Sequence, residues 1–221
     1  MNFMQLRERQ PKFPVTVKTG EGVVELIWNK IEYADGYRVF ASPVGKNHFV
    51  GVINVKGTTA VMKKRANGVP MQYKVKAFRI ADGPGNFFGE SEIVIACPLE
   101  TPRRLTAIVG SDGICTLSWR YNSQCDGFKI YADSNESGKY SFVCYSGKNS
   151  CRLDSFTKSG KVSFVVRSFI MTGHMEKLGV SSAPAEAVLP KSKGAKAVQF
   201  DHSMIRKTAG DYKTRRFAGK D

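Results

Sequence analysis

Between residues 13 and 190 the apolar positions recur at every second residue in short runs, with no sustained helical spacing. Val24, Leu26 and Trp28 alternate around Glu25 and Ile27, Tyr37 and Val39 flank Arg38, and Tyr73, Val75 and Ala77 alternate with Lys74 and Lys76. Successive side chains of a strand point to opposite faces, so this pattern puts the apolar set on a core and the charged set in solvent. Turn-forming clusters such as Thr19-Gly20-Glu21-Gly22, Asn67-Gly68 and the stretch from Ala81 to Asn86 separate the runs. The pattern predicts strands at 15–19, 23–29, 36–42, 48–54, 58–63, 71–79 and 90–96. A second set follows at 104–109, 113–120, 127–133, 140–146, 150–154, 162–170 and 180–188.

The two sets are copies of one another. Trp28 recurs 91 positions on as Trp119, Asp35-Gly36-Tyr37-Arg38-Val39-Phe40 as Asp126-Gly127-Phe128-Lys129-Ile130-Tyr131, and Tyr73 to Phe78 as Phe164 to Phe169. Gly89-Glu90-Ser91 corresponds to Gly179-Val180-Ser181 and Pro98 to Pro190, with a drift of one residue. Ordered anchors at nearly one spacing mark an internal repeat. The organisation expected is an N-terminal segment 1–12, a domain at 13–98, a linker at 99–103, a domain at 104–190 and a tail at 191–221. Seven strands in about ninety residues is the count of an antiparallel sandwich, so the fold class is all-β with two sandwiches in tandem. A linker of this length containing Pro102 acts as a semi-rigid joint rather than a flexible tether.

A strand ending in Trp28, then Ala34 to Val39, then Tyr73 to Ala77, then Gly89-Glu90-Ser91 and a closing Pro98, resembles the fibronectin type III pattern. Trp119, Gly127-Phe128, Phe164 and Pro190 resemble it again, so the likeness covers residues 13–190. The resemblance implies a scaffold more firmly than an activity. It also implies a tyrosine at the start of the sixth strand whose hydroxyl bonds back to the preceding corner. Tyr73 can make that bond; Phe164 lacks the hydroxyl, which predicts a less stable second domain. No Arg-Gly-Asp tripeptide is present, so the integrin-binding role of some family members is not implied.

Charge points to the partner. The chain carries +15, divided as +2 on 1–12, +4 on 13–98, +3 on 99–190 and +6 on 191–221. Such a balance suits an anionic partner: nucleic acid, an acidic protein surface or a lipid headgroup layer. The start of the chain has no apolar run of the signal-peptide kind, and no stretch is apolar enough for a membrane span. Synthesis in a cytosol is therefore expected. The five cysteines match no zinc spacing, and reduced thiols are expected, although Cys144 and Cys151 could face each other across a hairpin.

Catalytic chemistry finds no support. His48, His174 and His202 lie in separate segments without a second ligand at metal spacing, and no nucleophile elbow, phosphate loop or paired carboxylate occurs. Neither an enzyme nor a cofactor or metal site is expected. Recognition is expected in two loops, at Phe87 and Phe88 and at Met171 and Met175, and above all in the tail. The tail candidates are Lys191, Lys193, Lys196, Phe200, Arg206, Lys207, Tyr212, Lys213, Arg215, Arg216 and Phe217. Aromatics spaced among cations read as a docking arm that orders on a partner.

The leading expectation is a non-enzymatic structural or interaction protein whose sandwiches are anchored to a larger assembly by the arm. Tandem sandwiches of this kind look like bacteriophage virion accessories (capsid, connector or tail components), located in the virion if phage-encoded and in the cytoplasm otherwise. The alternatives are a nucleic-acid or polyanion binder, driven by the basic excess, and an extracellular adhesion or carbohydrate-associated module.

Overall fold

The computed structural model describes residues 12–154 and 159–190, which carry sixteen strands and one short 3-10 turn at Ile80–Asp82. The first eight strands are β1 (Thr16–Gly20), β2 (Val23–Ile27), β3 (Gly36–Pro43), β4 (Val50–Val55), β5 (Thr59–Met62), β6 (Met71–Phe78), β7 (Phe87–Glu90) and β8 (Val94–Ala96). The second eight are β9 (Arg103–Val109), β10 (Cys115–Arg120), β11 (Gly127–Asp133), β12 (Ser141–Ser146), β13 (Ser150–Leu153), β14 (Gly160–Thr172), β15 (Met175–Leu178) and β16 (Ala185–Leu189). Each set makes a three-stranded and a five-stranded sheet. The orders are β1-β2-β5 against β4-β3-β6-β7 with β8 also on β6, then β13-β10-β9 against β12-β11-β14-β15 with β16 also on β14. All strand pairs are antiparallel. The fold is two β-sandwiches in tandem, as the alternation predicts.

Each sandwich closes over its own core. Val24, Leu26, Trp28, Tyr37, Val39, Tyr73 and Val75 fill the first, and Cys115, Leu117, Trp119, Phe128, Ile130, Phe164 and Val166 the second. Trp28 meets Tyr37 edge-on at 5.2 Å between ring centroids, and Trp119 meets Phe128 in the same way at 5.1 Å. Edge-to-face contact sets the positive rim of one ring against the negative face of the other.

The repeat reaches down to single hydrogen bonds. Asp35 accepts the Ile80 amide at 2.8 Å and Asp126 accepts the Met171 amide at 2.7 Å. Ser91 Oγ accepts the Val75 amide at 2.8 Å and Ser182 Oγ accepts the Val166 amide at 3.0 Å, so the counterpart of Ser91 is Ser182, at the full 91-residue shift, rather than Ser181. These serines explain a departure from expectation. One last strand per domain is expected, at 90–96 and 180–188, but pairing begins earlier, on β7 and β15, breaks off and resumes on the shorter β8 and β16, giving eight strands rather than seven. Where a hydroxyl replaces the backbone carbonyl as acceptor, the ladder is interrupted and the chain steps aside before pairing again.

The predicted corner bond takes another form. The Tyr73 hydroxyl pairs with the side chain of Arg65, in the segment between β5 and β6, and burial pushes its pKa up despite that cation. The hydroxyl that closes onto backbone belongs instead to Tyr37, which accepts the Ile31 amide at 2.8 Å. Its counterpart Phe128 has no hydroxyl; Tyr121 packs edge-on against it at 5.1 Å. Cys144 and Cys151 do approach each other, but not across a hairpin, since β12 and β13 belong to different sheets.

The linker is built into the structure. Leu99 is buried with Cys97 and Ile170, and Cys125 packs against this small cluster. The Gly68 amide donates to the Pro98 carbonyl at 2.8 Å, and Ser168 Oγ donates to the Glu100 carbonyl at 3.0 Å. The Glu100 carboxylate accepts the Asn122 amide at 3.1 Å and Ser123 Oγ at 2.7 Å, while Arg103 pairs with Glu21 at 2.7 Å. Gly68 sits at φ +74, and a Cβ there would run into the Gln124 backbone of the second sandwich. The joint thus has a core of its own, which the length and proline content of the linker only hinted at.

The Tyr73–Arg65 pair has a direct test. Tyr73→Phe and Arg65→Met should each lower stability by roughly 0.5–1.5 kcal/mol in urea unfolding, and the double variant should lose little beyond either single change. Additive losses would place the two groups in separate interactions.

Candidate interaction surface

The strands that bury one face in the core present the other to solvent, and on the five-stranded sheets that outer face is made of rings and cations. On β3 and β6 the inward Tyr37, Val39, Tyr73 and Val75 alternate with outward Arg38, Phe40, Lys74 and Lys76. Phe40 meets Phe87 of β7 edge-on at 5.5 Å. Lys76 Nζ lies 5.7 Å from the Phe40 centroid and 5.6 Å from that of Phe87, Arg38 lies 5.5 Å from Phe40, and Lys74 lies 4.5 Å from Phe49.

The second sandwich repeats the arrangement with more rings. Tyr131, Phe142, Tyr145 and Phe169 form a chain of contacts at 5.9, 4.9 and 5.6 Å. Lys129 Nζ lies 5.6 Å from Phe142 and 5.1 Å from Tyr145. Both registers place two cations directly opposite each other, Arg38 against Lys76 and Lys129 against Arg167. Like charges in that position repel. Each sandwich answers with a carboxylate from the next strand of the same sheet. Glu90 of β7 pairs with Lys76 at 2.9 Å and Lys74 at 3.2 Å; Glu176 of β15 pairs with Lys129 at 2.6 Å.

Burial raises the Glu90 pKa, but the hydrogen bonds from Lys76 and Lys74 outweigh it and leave the group below its ordinary value. Burial likewise works against the Lys129 charge, yet its bonds to Glu176 and Tyr145 raise the pKa overall. These cations are already partnered, so the outer face is a balanced layer of rings and ion pairs rather than an open anion site.

The free part of the surface is its edge. Strand β4, Val-Gly-Val-Ile-Asn-Val, closes one side of its sheet without a charged residue. Val50 is 57% exposed, Val52 38% and Ile53 36%. The matching edge strand β12 is also uncharged and exposes Phe142 to 48%. Each edge carries a register shift, opposite Val39/Phe40 in the first sandwich and Ile130/Tyr131 in the second, and no strand among the described residues pairs with its outer side. An apolar edge strand offers unpaired backbone groups to another chain.

The expected loop residues fall in different places. Phe87 joins the outer ring layer, whereas Phe88 packs against the core, with Arg79 4.8 Å from its ring centroid. Neither is in a loop; both are on β7. Met171 and Met175 are likewise strand residues, on β14 and β15, because that hairpin closes tightly around Gly173. The two pairs do not converge on one site. All the tail candidates, from Lys191 to Phe217, lie outside the described residues. The edge residues Val50, Val52 and Ile53 were not singled out in the sequence, although an uncharged apolar run from Phe49 to Val55 is visible there. Among the described residues, no cluster of three or more His, Cys, Asp or Glu side chains could hold a metal, and no helix is long and apolar enough to cross a membrane.

No family model matches the chain, and no curated protein matches it. Solved structures similar to it include the FN1–FN3 domains of chicken CNTN1, at 18% identity with a TM-score of 0.38, where 81% of this chain and 67% of that chain are covered. They also include a segment of two fibronectin type III domains from chicken tenascin, at 17% identity with a TM-score of 0.45, where 81% of this chain and 98% of that chain are covered.

The Glu90 clasp sets a pH dependence. A carboxylate held below its unfolded pKa contributes stability that is complete above that pKa and is lost as pH falls through the folded value. Glu90→Gln should therefore lower the urea midpoint relative to the parent above about pH 5, with the difference shrinking below about pH 4. A difference independent of pH between 3 and 6, on the order of the assay range for carboxylates, would mean that the ion pairs contribute nothing.

Proposed function

We propose that this chain is a non-enzymatic structural and interaction protein that binds another protein chain within a larger assembly, through the edge strand β4 and the tail. The observation that carries this reading is the uncharged edge at Val50–Val55, whose exposed valines and isoleucine lie beside the outer layer of Phe40 and Phe87. An extended segment added to such an edge gains main-chain hydrogen bonds, and alternate side chains supply specificity. A joint packed by Leu99 supports a fixed relation between the two sandwiches, which suits a scaffold. The assembly we have in view is a virion carrying the protein as an accessory made in the host cytoplasm. Tandem sandwiches followed by a basic extension with spaced aromatics support that choice.

A second reading, binding to nucleic acid, draws on the +6 carried by residues 191–221. The ion pairs of Lys74, Lys76 and Lys129 argue against the sandwiches themselves as the anion site.

The test is capture of partners from the native source by the full chain, by a Val50→Lys/Val52→Lys variant and by a Phe200→Ala/Tyr212→Ala/Phe217→Ala variant. Each variant should keep the thermal midpoint of the parent and lose capture by about tenfold or more, since a lost apolar anchor costs on the order of 1–2 kcal/mol. Normal capture by the β4 variant would remove the edge strand from the account. Capture that nuclease abolishes and that falls steeply with salt would favour nucleic acid.

A further inference from the structure

The second sandwich differs from the first at one chemically meaningful point. Val24, Ile53 and Ala60 of the first copy are replaced, 91 positions on, by Cys115, Cys144 and Cys151. Two of these thiols meet. Cys144 Sγ on β12 and Cys151 Sγ on β13 lie 3.3 Å apart, within the core contacts that join the five-stranded sheet to the three-stranded one. The turn between them is tied down by Ser146, whose hydroxyl donates to the Ser150 carbonyl at 2.7 Å, lies 3.0 Å from that of Lys148 and accepts the Lys148 amide at 3.1 Å. Both sulfurs are thus held on a short, internally bonded turn, and a disulfide needs them only about 1.2 Å closer.

We propose that Cys144 and Cys151 are a thiol–disulfide site, which closes into a covalent clasp between the two sheets of the second sandwich on exposure to a small-molecule disulfide such as oxidised glutathione. Their exposures assign the order of events. Cys144 is 2% exposed, whereas Cys151 is only partly buried and is the more accessible residue of the pair. The hydrogen bond with Cys144 holds the Cys151 thiol below its ordinary pKa, while the same bond and burial push Cys144 up. Thiolate is the attacking form, so Cys151 is the entry point.

The Cys151 thiolate attacks one sulfur of oxidised glutathione, breaking its S–S bond and releasing one glutathione thiolate. Cys144 then gives up its proton to solvent or to that thiolate, and its sulfur attacks the Cys151 sulfur. The Cys144–Cys151 bond forms and the second glutathione leaves. Two protein thiols are oxidised and one glutathione disulfide is reduced to two thiols, which carry the two protons. Cys115, on the strand beside β13, is fully buried, and burial raises its pKa, so it enters only if β13 shifts. Cys97 and Cys125 belong to the joint and serve as internal references.

The experiment treats the native full chain with oxidised glutathione, blocks remaining thiols after denaturation, and maps peptides by mass. The result expected is a loss of two hydrogens with Cys144 joined to Cys151, the other three cysteines blocked, and a rise of several degrees in the unfolding midpoint of the second sandwich. Cys144→Ser should stop at a glutathione adduct on Cys151, and Cys151→Ser should leave Cys144 unmodified. Cys115→Ser should close the pair normally, which keeps the test valid if either of the other variants folds poorly. A parent protein that accumulates the Cys151 adduct without ring closure, that keeps all five thiols, or that joins Cys151 to Cys115 would overturn the proposal.

Discussion

One ladder governs each sandwich. The antiparallel pair β3–β6, with Tyr37 opposite Ala77 and Val39 opposite Val75, runs along nearly the whole of both strands, and β11–β14 reproduces it with Phe128 opposite Ser168 and Ile130 opposite Val166. Because side chains alternate, fixing this register fixes two surfaces at once. The inward set closes the core around Trp28 or Trp119; the outward set brings Arg38 against Lys76, or Lys129 against Arg167. A slip of one residue would exchange the two sets and bury the cations. The rings and the carboxylates of Glu90 and Glu176 are what make the outward register tolerable.

The same ladder positions what lies around it. The amide of residue 75 or 166 reaches a serine hydroxyl at 91 or 182, which breaks the last strand in two and leaves β7 and β15 to supply the carboxylates. On the opposite side β4 and β12 are the final strands, and nothing among the described residues pairs with their outer edges. At the joint, Ile170 near the end of β14 meets Leu99 and Cys97, so the second ladder also anchors the linker. The two sandwiches share a plan but not a chemistry: the second carries the longer chain of rings and the thiol pair.

The alternation of apolar and charged residues made the inward face legible, and the 91-residue spacing of Trp28 and Trp119 made the tandem organisation legible. Both depend on local periodicity, which one sequence displays directly. The split of the last strand was not visible, because it turns on a serine hydroxyl taking a carbonyl's place, and serine looks the same in a strand or beside one. The corner bond differs in its acceptor: Tyr73 reaches the preceding corner, as the resemblance implied, but meets the Arg65 side chain there, while closure onto backbone is made by Tyr37 at another turn. The edge at Val50–Val55 and the approach of Cys144 to Cys151 depend on which strands neighbour which, and that is a tertiary property. The tail, on which most of the predicted binding residues fall, lies outside the described structure.

Amide hydrogen exchange in native conditions tests the primacy of the ladders most directly. The slowest exchange is expected at ladder-bonded amides of residues 37–41 and 73–77 in the first sandwich and 128–132 and 164–168 in the second, with β4 exchanging faster than the β3 strand it borders. Slowest exchange in the three-stranded sheets, or protection in β4 equal to that of β3, would contradict it.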